Sequence, residues 1–188
     1  MSIPKIITIS DLMDKFEGAK TVIHEYGNLD KETVTFKLNP ETWNCVEICQ
    51  HLIRFNDLYL SEMDLGLEKL KTIPVNGNSF SPAWTVRKLA GYFEPPYKFG
   101  VKTIRPMLPS NTEMETAETF MRLIGYQDEI ISRLEKAKVE HWNLDKIKGR
   151  HPLLTFIRMS YIDFLILIDA HQRRHFWQFE QILKRMPG

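Results

Sequence analysis

Only two cysteines occur in 188 residues, and they lie four apart, which excludes a disulfide-stapled scaffold. Cys45 and Cys49 read as neighbours on one helix, where side chains project in parallel and disulfide geometry is poorly met, so both are expected to be reduced and structural. Charge of one sign is also missing. Lys plus Arg total 25 and Asp plus Glu total 24, so no surplus exists to hold a nucleic-acid backbone by counterion release. The cationic stretches Lys146, Lys148, Arg150 and Lys184-Arg185 read as solvated faces. Long hydrophobic runs are absent as well. Phe164-Leu165-Ile166-Leu167-Ile168 is bounded by Asp163 and Asp169, far short of the roughly 20 residues that span a bilayer. Asp11 and Asp14 arrive too early for a signal peptide. The expectation is a cytoplasmic protein with neither a nucleic-acid nor a membrane partner.

What the chain does have is helical periodicity, carried by 43% hydrophobic residues, enough for one core in a single domain over 1–188. The first helix starts at Ser10 as N-cap and repeats Leu12, Phe16, Ala19, Ile23 and Tyr26 until Gly27-Asn28. A second follows Asn39-Pro40, with Ile48, Leu52, Phe55, Tyr59 and Met63 as its stripe. A third runs over 112–138, its first turn holding Glu113 and Glu115, which suits the helix dipole. The fourth opens on Ser160-Tyr161-Ile162-Asp163, a capping-box pattern with Asp in place of Glu, and its stripe is Phe164, Ile168, His171, His175, Phe179 and Ile182. Only Val34-Thr35-Phe36 alternates as strands do. The pattern predicts an all-α fold, a four-helix bundle with long connections between helices two and three (72–112) and between helices three and four (139–159). The 72–112 connection is long enough to be functional or to hold short elements, and Leu89 to Phe93 reads as one or two helical turns.

Two histidines fall inside that fourth apolar stripe. His171 and His175 are four apart, which stacks them on one helix face within reach of a shared metal ion, although two packed, hydrogen-bonded histidines would share the spacing. His51, one place from Leu52 and on the side of Phe55, also points inward from helix two. Adjacent helix axes let one histidine from helix two and two from helix four converge. Three neutral imidazoles leave a coordination position open, the arrangement of catalytic rather than closed structural sites. On the helical wheel Cys49 lies about 200° from His51 and Cys45 about 240°, so both cysteines face elsewhere. Glu47 is only about 40° from His51 and is placed to act as an orienting or proton acceptor, or to be a solvated helix carboxylate. Gln178, three after His175, is placed to orient a ligand or a packing partner, and Asp169 points away.

Trp43-Asn44-Cys45-Val46-Glu47-Ile48-Cys49-Gln50-His51-Leu52 resembles the W-S-x-x-E-x-x-x-H-L segment of the DinB-like metal-binding superfamily, with Asn44 where the family carries Ser. His171-Gln172-Arg173-Arg174-His175-Phe176-Trp177-Gln178 resembles its H-x-x-x-H-x-x-Q closing helix. Tyr92 to Lys98, Arg105-Pro106 and His151-Pro152 are similar to its connecting segments. The resemblance implies a four-helix bundle, often a homodimer, whose three histidines bind a divalent metal, commonly nickel or zinc. By position those ligands are His51, His171 and His175. Characterised relatives include thiol S-transferases using bacillithiol or mycothiol and a mycothiol-dependent isomerase.

These readings together predict a metal-dependent S-transferase or hydrolase that activates a low-molecular-weight thiol or a water, with Glu47 taking the released proton. A small-molecule substrate is expected among Trp84, Tyr92, Phe93, Tyr97 and Arg105. The same residues also allow a non-catalytic metal-binding or dimerising bundle. Because ligand imidazoles must be deprotonated, metal affinity is expected to fall below about pH 6.5.

Overall fold

A computed structural model describes residues 3–70, 78–94, 103–109 and 115–187. Four long helices carry most of it: α1 (Ile9–Gly27), α3 (Cys45–Leu70), α5 (Thr116–Val139) and α6 (Tyr161–Leu183). Shorter helices are α2 (Lys31–Thr35) and α4 (Trp84–Phe93), with a 3-10 turn at Arg105–Met107. Two small antiparallel ribbons complete the described residues. In one, β1 (Ile7–Thr8) pairs with β2 (Ser79–Phe80); in the other, β3 (Lys148–Arg150) pairs with β4 (Arg158–Ser160). The fold is mostly helical, in keeping with the expected all-α class.

Side-chain caps decide where the helices begin. The α1 cap is Thr8 rather than Ser10: its hydroxyl accepts from Asp11 N at 3.0 Å and Asp11 accepts from Thr8 N at 2.8 Å. Ile7 and Thr8 are held extended by pairing with Phe80 and Ser79, so the chain turns helical as soon as the strand ends. For α6 the expected Ser160–Asp163 box forms, and the second Asp163 oxygen accepts from Ala83 N at 2.8 Å, fastening the start of α4 to the start of α6. Val34-Thr35-Phe36 is not a strand. Asp30 accepts from Thr33 N at 2.9 Å and nucleates α2, a local cap that overrides three residues of alternation. The third helix begins by Thr116; Glu113, expected in its first turn, lies outside the described residues, and Glu115 is its N-cap. The Leu89 to Phe93 turn belongs to a longer helix that starts at Trp84.

Helix α1 packs along α5, α5 along α3, α3 along α6, and α6 against α1, while α4 covers α6. Every residue of α6 from Tyr161 to Gln172 is buried, so this helix is apolar nearly all round and surrounded by its neighbours. Its two internal carboxylates are both paired. Asp163 serves the caps, and Asp169 takes Lys15 from α1 at 3.3 Å and Arg173 at 3.0 Å. One core cluster gathers around Phe55, Tyr59 and Phe164, a second around Cys45, Cys49, Phe176 and Phe179. Pairs such as Phe55–His171 and Tyr59–Phe164 descend along α6 as they climb α3, so the two helices run antiparallel.

The β3–β4 ribbon lies directly on α3, glycine against glycine. A Cβ on Gly149 would stand 2.4 Å from the Glu62 carbonyl oxygen, and one on Gly66 would stand 2.9 Å from the Lys148 carbonyl. Backbone on both sides leaves nothing flexible to yield. Gly149→Ala is therefore expected to lower unfolding free energy by about 1–3 kcal/mol, the usual cost of overpacking. Urea titration of both proteins measures it; an unchanged midpoint would show that the ribbon does not rest on α3 in this way.

Candidate metal centre

Antiparallel packing of α3 on α6 brings His51 level with the turn of α6 that carries His171 and His175. His51 Nε2 stands 3.2 Å from His171 Nε2, which stands 3.1 Å from His175 Nε2. Those three residues form a group whose ligand atoms all lie within 4.8 Å of one another. All are buried, with exposures of 4%, 7% and 5%. The three expected ligand histidines thus converge by their Nε2 atoms.

The outer nitrogens determine what the inner ones present. His51 Nδ1 donates to the carbonyl of Met107 at 2.6 Å, and His175 Nδ1 donates to Gln178 Oε1 at 2.6 Å. A neutral imidazole has one N–H, so both of these rings must turn a bare lone pair inward at Nε2. His171 sits between them and can donate its Nε2 proton to only one. Its Nδ1 is buried with no hydrogen-bond partner among the described residues. Two or three lone pairs aimed at one point, without enough protons to bridge them, form a donor set that suits a cation.

Apolar rings enclose the cluster. Phe55 stacks on His171 at 4.0 Å between centroids, Phe93 meets it edge-on at 5.5 Å, and Trp43 lies 5.1 Å from His51. Burial consequently lowers the pKa of all three histidines. For His51 it outweighs the opposing Met107 hydrogen bond. His171 falls well below the ordinary value, from burial first and then from His175, His51 and Arg174. His175 is pushed down to about 3, chiefly by burial. The imidazoles of the folded chain therefore stay neutral below pH 6.5, so the expected loss of metal affinity shifts to more acid pH than free histidine would give.

Other expected residues fall differently. Glu47 caps α3: Asn44 N donates to its Oε2 at 2.9 Å, Glu47 N donates to Asn44 Oδ1 at 2.8 Å, and Lys37 pairs with its Oε1 at 2.7 Å. Its carboxylate is thus engaged at the helix start. Gln178 does orient the His175 ring, and Asp169 points away to Lys15 and Arg173. Cys45 and Cys49 are free and buried in the second core cluster, and burial pushes both thiols up, Cys45 to about 12. Of the aromatic connection, Phe93 touches His171, Trp84 and Tyr92 are exposed, Arg105 lies exposed in the 3-10 turn, and Tyr97 is outside the described residues.

Three contributors carried no sequence signal as partners of the histidines. The Met107 carbonyl is backbone, which any residue supplies. Phe55 and Tyr59 looked like ordinary core, yet Phe55 stacks between His171 and Tyr59, whose hydroxyl meets His151 Nε2 at 3.1 Å. His151 Nδ1 accepts from Leu153 N and Leu154 N, so that histidine shapes its loop. No family model, curated protein or solved structure matches this chain.

Acid should unfold the metal-free protein. Below about pH 6.5 the unfolded chain binds protons on these imidazoles while the folded chain does not, so stability is greatest above that value and falls as pH drops toward the folded pKa. His175, at about 3, contributes roughly 2 kcal/mol of loss between pH 6.5 and 5. His51 and His171 add in the same direction. Urea midpoints of chelator-treated protein at intervals of pH measure this, and His175→Phe should flatten the dependence. A flat profile in the wild type would contradict three buried neutral rings.

Proposed function

We propose that His51, His171 and His175 hold one divalent metal ion, zinc or nickel, in a DinB-like four-helix bundle made of α1, α3, α5 and α6. The protein is a metal-dependent enzyme, a thiol S-transferase or hydrolase acting on a small-molecule substrate. It works in the cytoplasm as a homodimer; among the described residues no helix is long and apolar enough to cross a membrane. The observation that carries the reading is the pair of outer hydrogen bonds, Met107 to His51 and Gln178 to His175, which turn the Nε2 lone pairs onto one point.

Each residue then has a stated task. His51, from α3, and His171 and His175, from α6, supply three neutral nitrogen ligands. Met107 and Gln178 hold two of the rings in the required tautomer, a role whose loss costs metal sites roughly 10–100-fold in affinity. Phe55 and Phe93 keep bulk water from the His171 side. When bound, a divalent ion with an open position lowers the pKa of a thiol or water to near neutrality and makes it a nucleophile. Glu47 caps α3 and pairs with Lys37 with one hydrogen bond on each oxygen, which leaves acceptor capacity for the released proton.

Metal analysis after purification without added metal tests the ligand set. Wild type should carry close to one ion per chain and His171→Ala far less than one. Equal, sub-stoichiometric content in both would remove the metal centre. Metal-loaded wild type should then turn over at least one electrophile in a panel offered with bacillithiol, mycothiol, glutathione or water, and the chelated protein should not. Stoichiometric metal with no turnover across that panel would make the bundle a binder and not an enzyme.

A further inference from the structure

One helical turn beyond the histidines, toward the start of α3 and the end of α6, a cleft of about 390 Å³ opens. Trp43 and Trp177 contribute aromatic walls, and Leu38, Ile48 and Ile182 add apolar surface. Its polar lining is ordered. Gln178 and Gln181, three apart on α6, and Arg185 in the turn just after it present donors to the cleft. Glu41 lines it as well. Neither Glu41 nor Arg185 has a side-chain ion pair among the described residues, and they are not paired with each other. A cleft with apolar body and aromatic walls, and with an exposed carboxylate and an exposed guanidinium on its lining, matches a ligand that carries both charges itself.

Two of the lining residues also touch the histidines. Gln178 accepts from His175 Nδ1 through Oε1, which leaves its amide N–H groups to a ligand, and Trp43 packs on the His51 ring. A carboxylate accepting from the Gln178 amide polarises it and strengthens its acceptance from His175, which makes that ring a better electron donor at Nε2. We infer that this cleft binds a small zwitterion with an apolar or aromatic body, an amino-acid-like molecule, its carboxylate on Arg185 and Gln178 and its ammonium on Glu41. Occupation of the cleft tightens the metal site through Gln178. The binding half is independent of the metal; the coupling half rests on the three-histidine reading.

Three probes separate the charges: L-phenylalanine carries both, phenylacetate only the anion and phenethylamine only the cation. Trp43 and Trp177 supply the signal, so tryptophan fluorescence is titrated with each probe in chelator-treated protein. L-phenylalanine should bind roughly tenfold tighter than either half-charged probe, the scale of one charge-assisted hydrogen bond. Arg185→Gln and Glu41→Gln should each remove that preference while leaving the fold intact by circular dichroism. No response to any probe, or equal response to all three, overturns the cleft assignment.

For coupling, zinc affinity is measured by competition with a chromophoric chelator, with and without saturating L-phenylalanine. It should rise several-fold, and zinc should raise L-phenylalanine affinity by the same factor, because linkage is reciprocal. Gln178→Glu keeps an acceptor for His175 but loses the donor to the ligand, so it should bind zinc and lose both L-phenylalanine and the coupling. Zinc affinity indifferent to a bound probe overturns the coupling. A protein that binds the probe and no zinc instead overturns the metal reading and leaves the cleft standing.

Discussion

Three imidazoles meeting at their Nε2 atoms, each more than nine-tenths out of solvent, impose a condition on every element around them. A buried polar group left without a partner costs roughly 1–3 kcal/mol, and these rings bring six nitrogens into an otherwise apolar seam. The fold meets the condition from two directions. Helix α6 supplies its own acceptor one turn on, Gln178 for His175. Within the 72–112 connection, the Arg105–Met107 turn packs on α3 and offers the Met107 carbonyl to His51. His171 Nδ1 is left with no partner among the described residues, with Phe55 and Phe93 against its ring. A cation at the Nε2 junction would take up the crowded inward lone pairs, while His171 Nδ1 would carry the ring proton and stay without an acceptor among the described residues.

Placing the rings so deep requires a helix buried on all sides as it approaches them, and α6 is so from Tyr161 to Gln172. That stretch cannot rely on solvent to satisfy its carboxylates, so Asp163 and Asp169 are each tied to a neighbouring element. Asp163 binds the start of α4 and Asp169 binds Lys15 of α1. Arg173, between the two ligand histidines, links Asp169 to Glu94 at the end of α4, with Nη1 at 2.5 Å and 2.6 Å from the Glu94 oxygens. Helix α4 is thus pinned at both ends to α6. That pinning sets Phe93, the residue before Glu94, against His171.

The helices and the three histidines were readable because both are periodic: a stripe spaced 3, 4, 4 carries its own direction, and His171 and His175 lie in it. What periodicity cannot carry is which side-chain oxygen closes a cap. Thr8 with Asp11 outcompeted Ser10, and Asp30 with Thr33 turned an alternating triplet into α2. Glu47 shows the same limit at the site. Its wheel angle does bring it near the His51 face, yet Asn44 precedes it by three residues, the spacing of a reciprocal cap, and that local bond with Lys37 claims the carboxylate. The Met107 carbonyl, 56 residues from His51, belongs to the backbone and leaves no mark in residue type.

The caps and ion pairs also decide the electrostatics of the centre. Glu47, Glu94 and Asp169 are the carboxylates carried by, or packed beside, the ligand-bearing turns, and each is held by Lys37, Arg173 or Lys15. The ligand set is therefore three neutral rings with no carboxylate among them. A divalent ion held there would keep its full charge, because neutral nitrogen ligands would not offset it. That charge, in surroundings of aromatic rings where screening is weak, would favour the anionic form of an entering thiol or water more strongly than a carboxylate-bearing site would. The same ion pairs that let the first half of α6 lie inside the protein thus keep negative charge away from the histidines, and the chemistry proposed for the site depends on that separation.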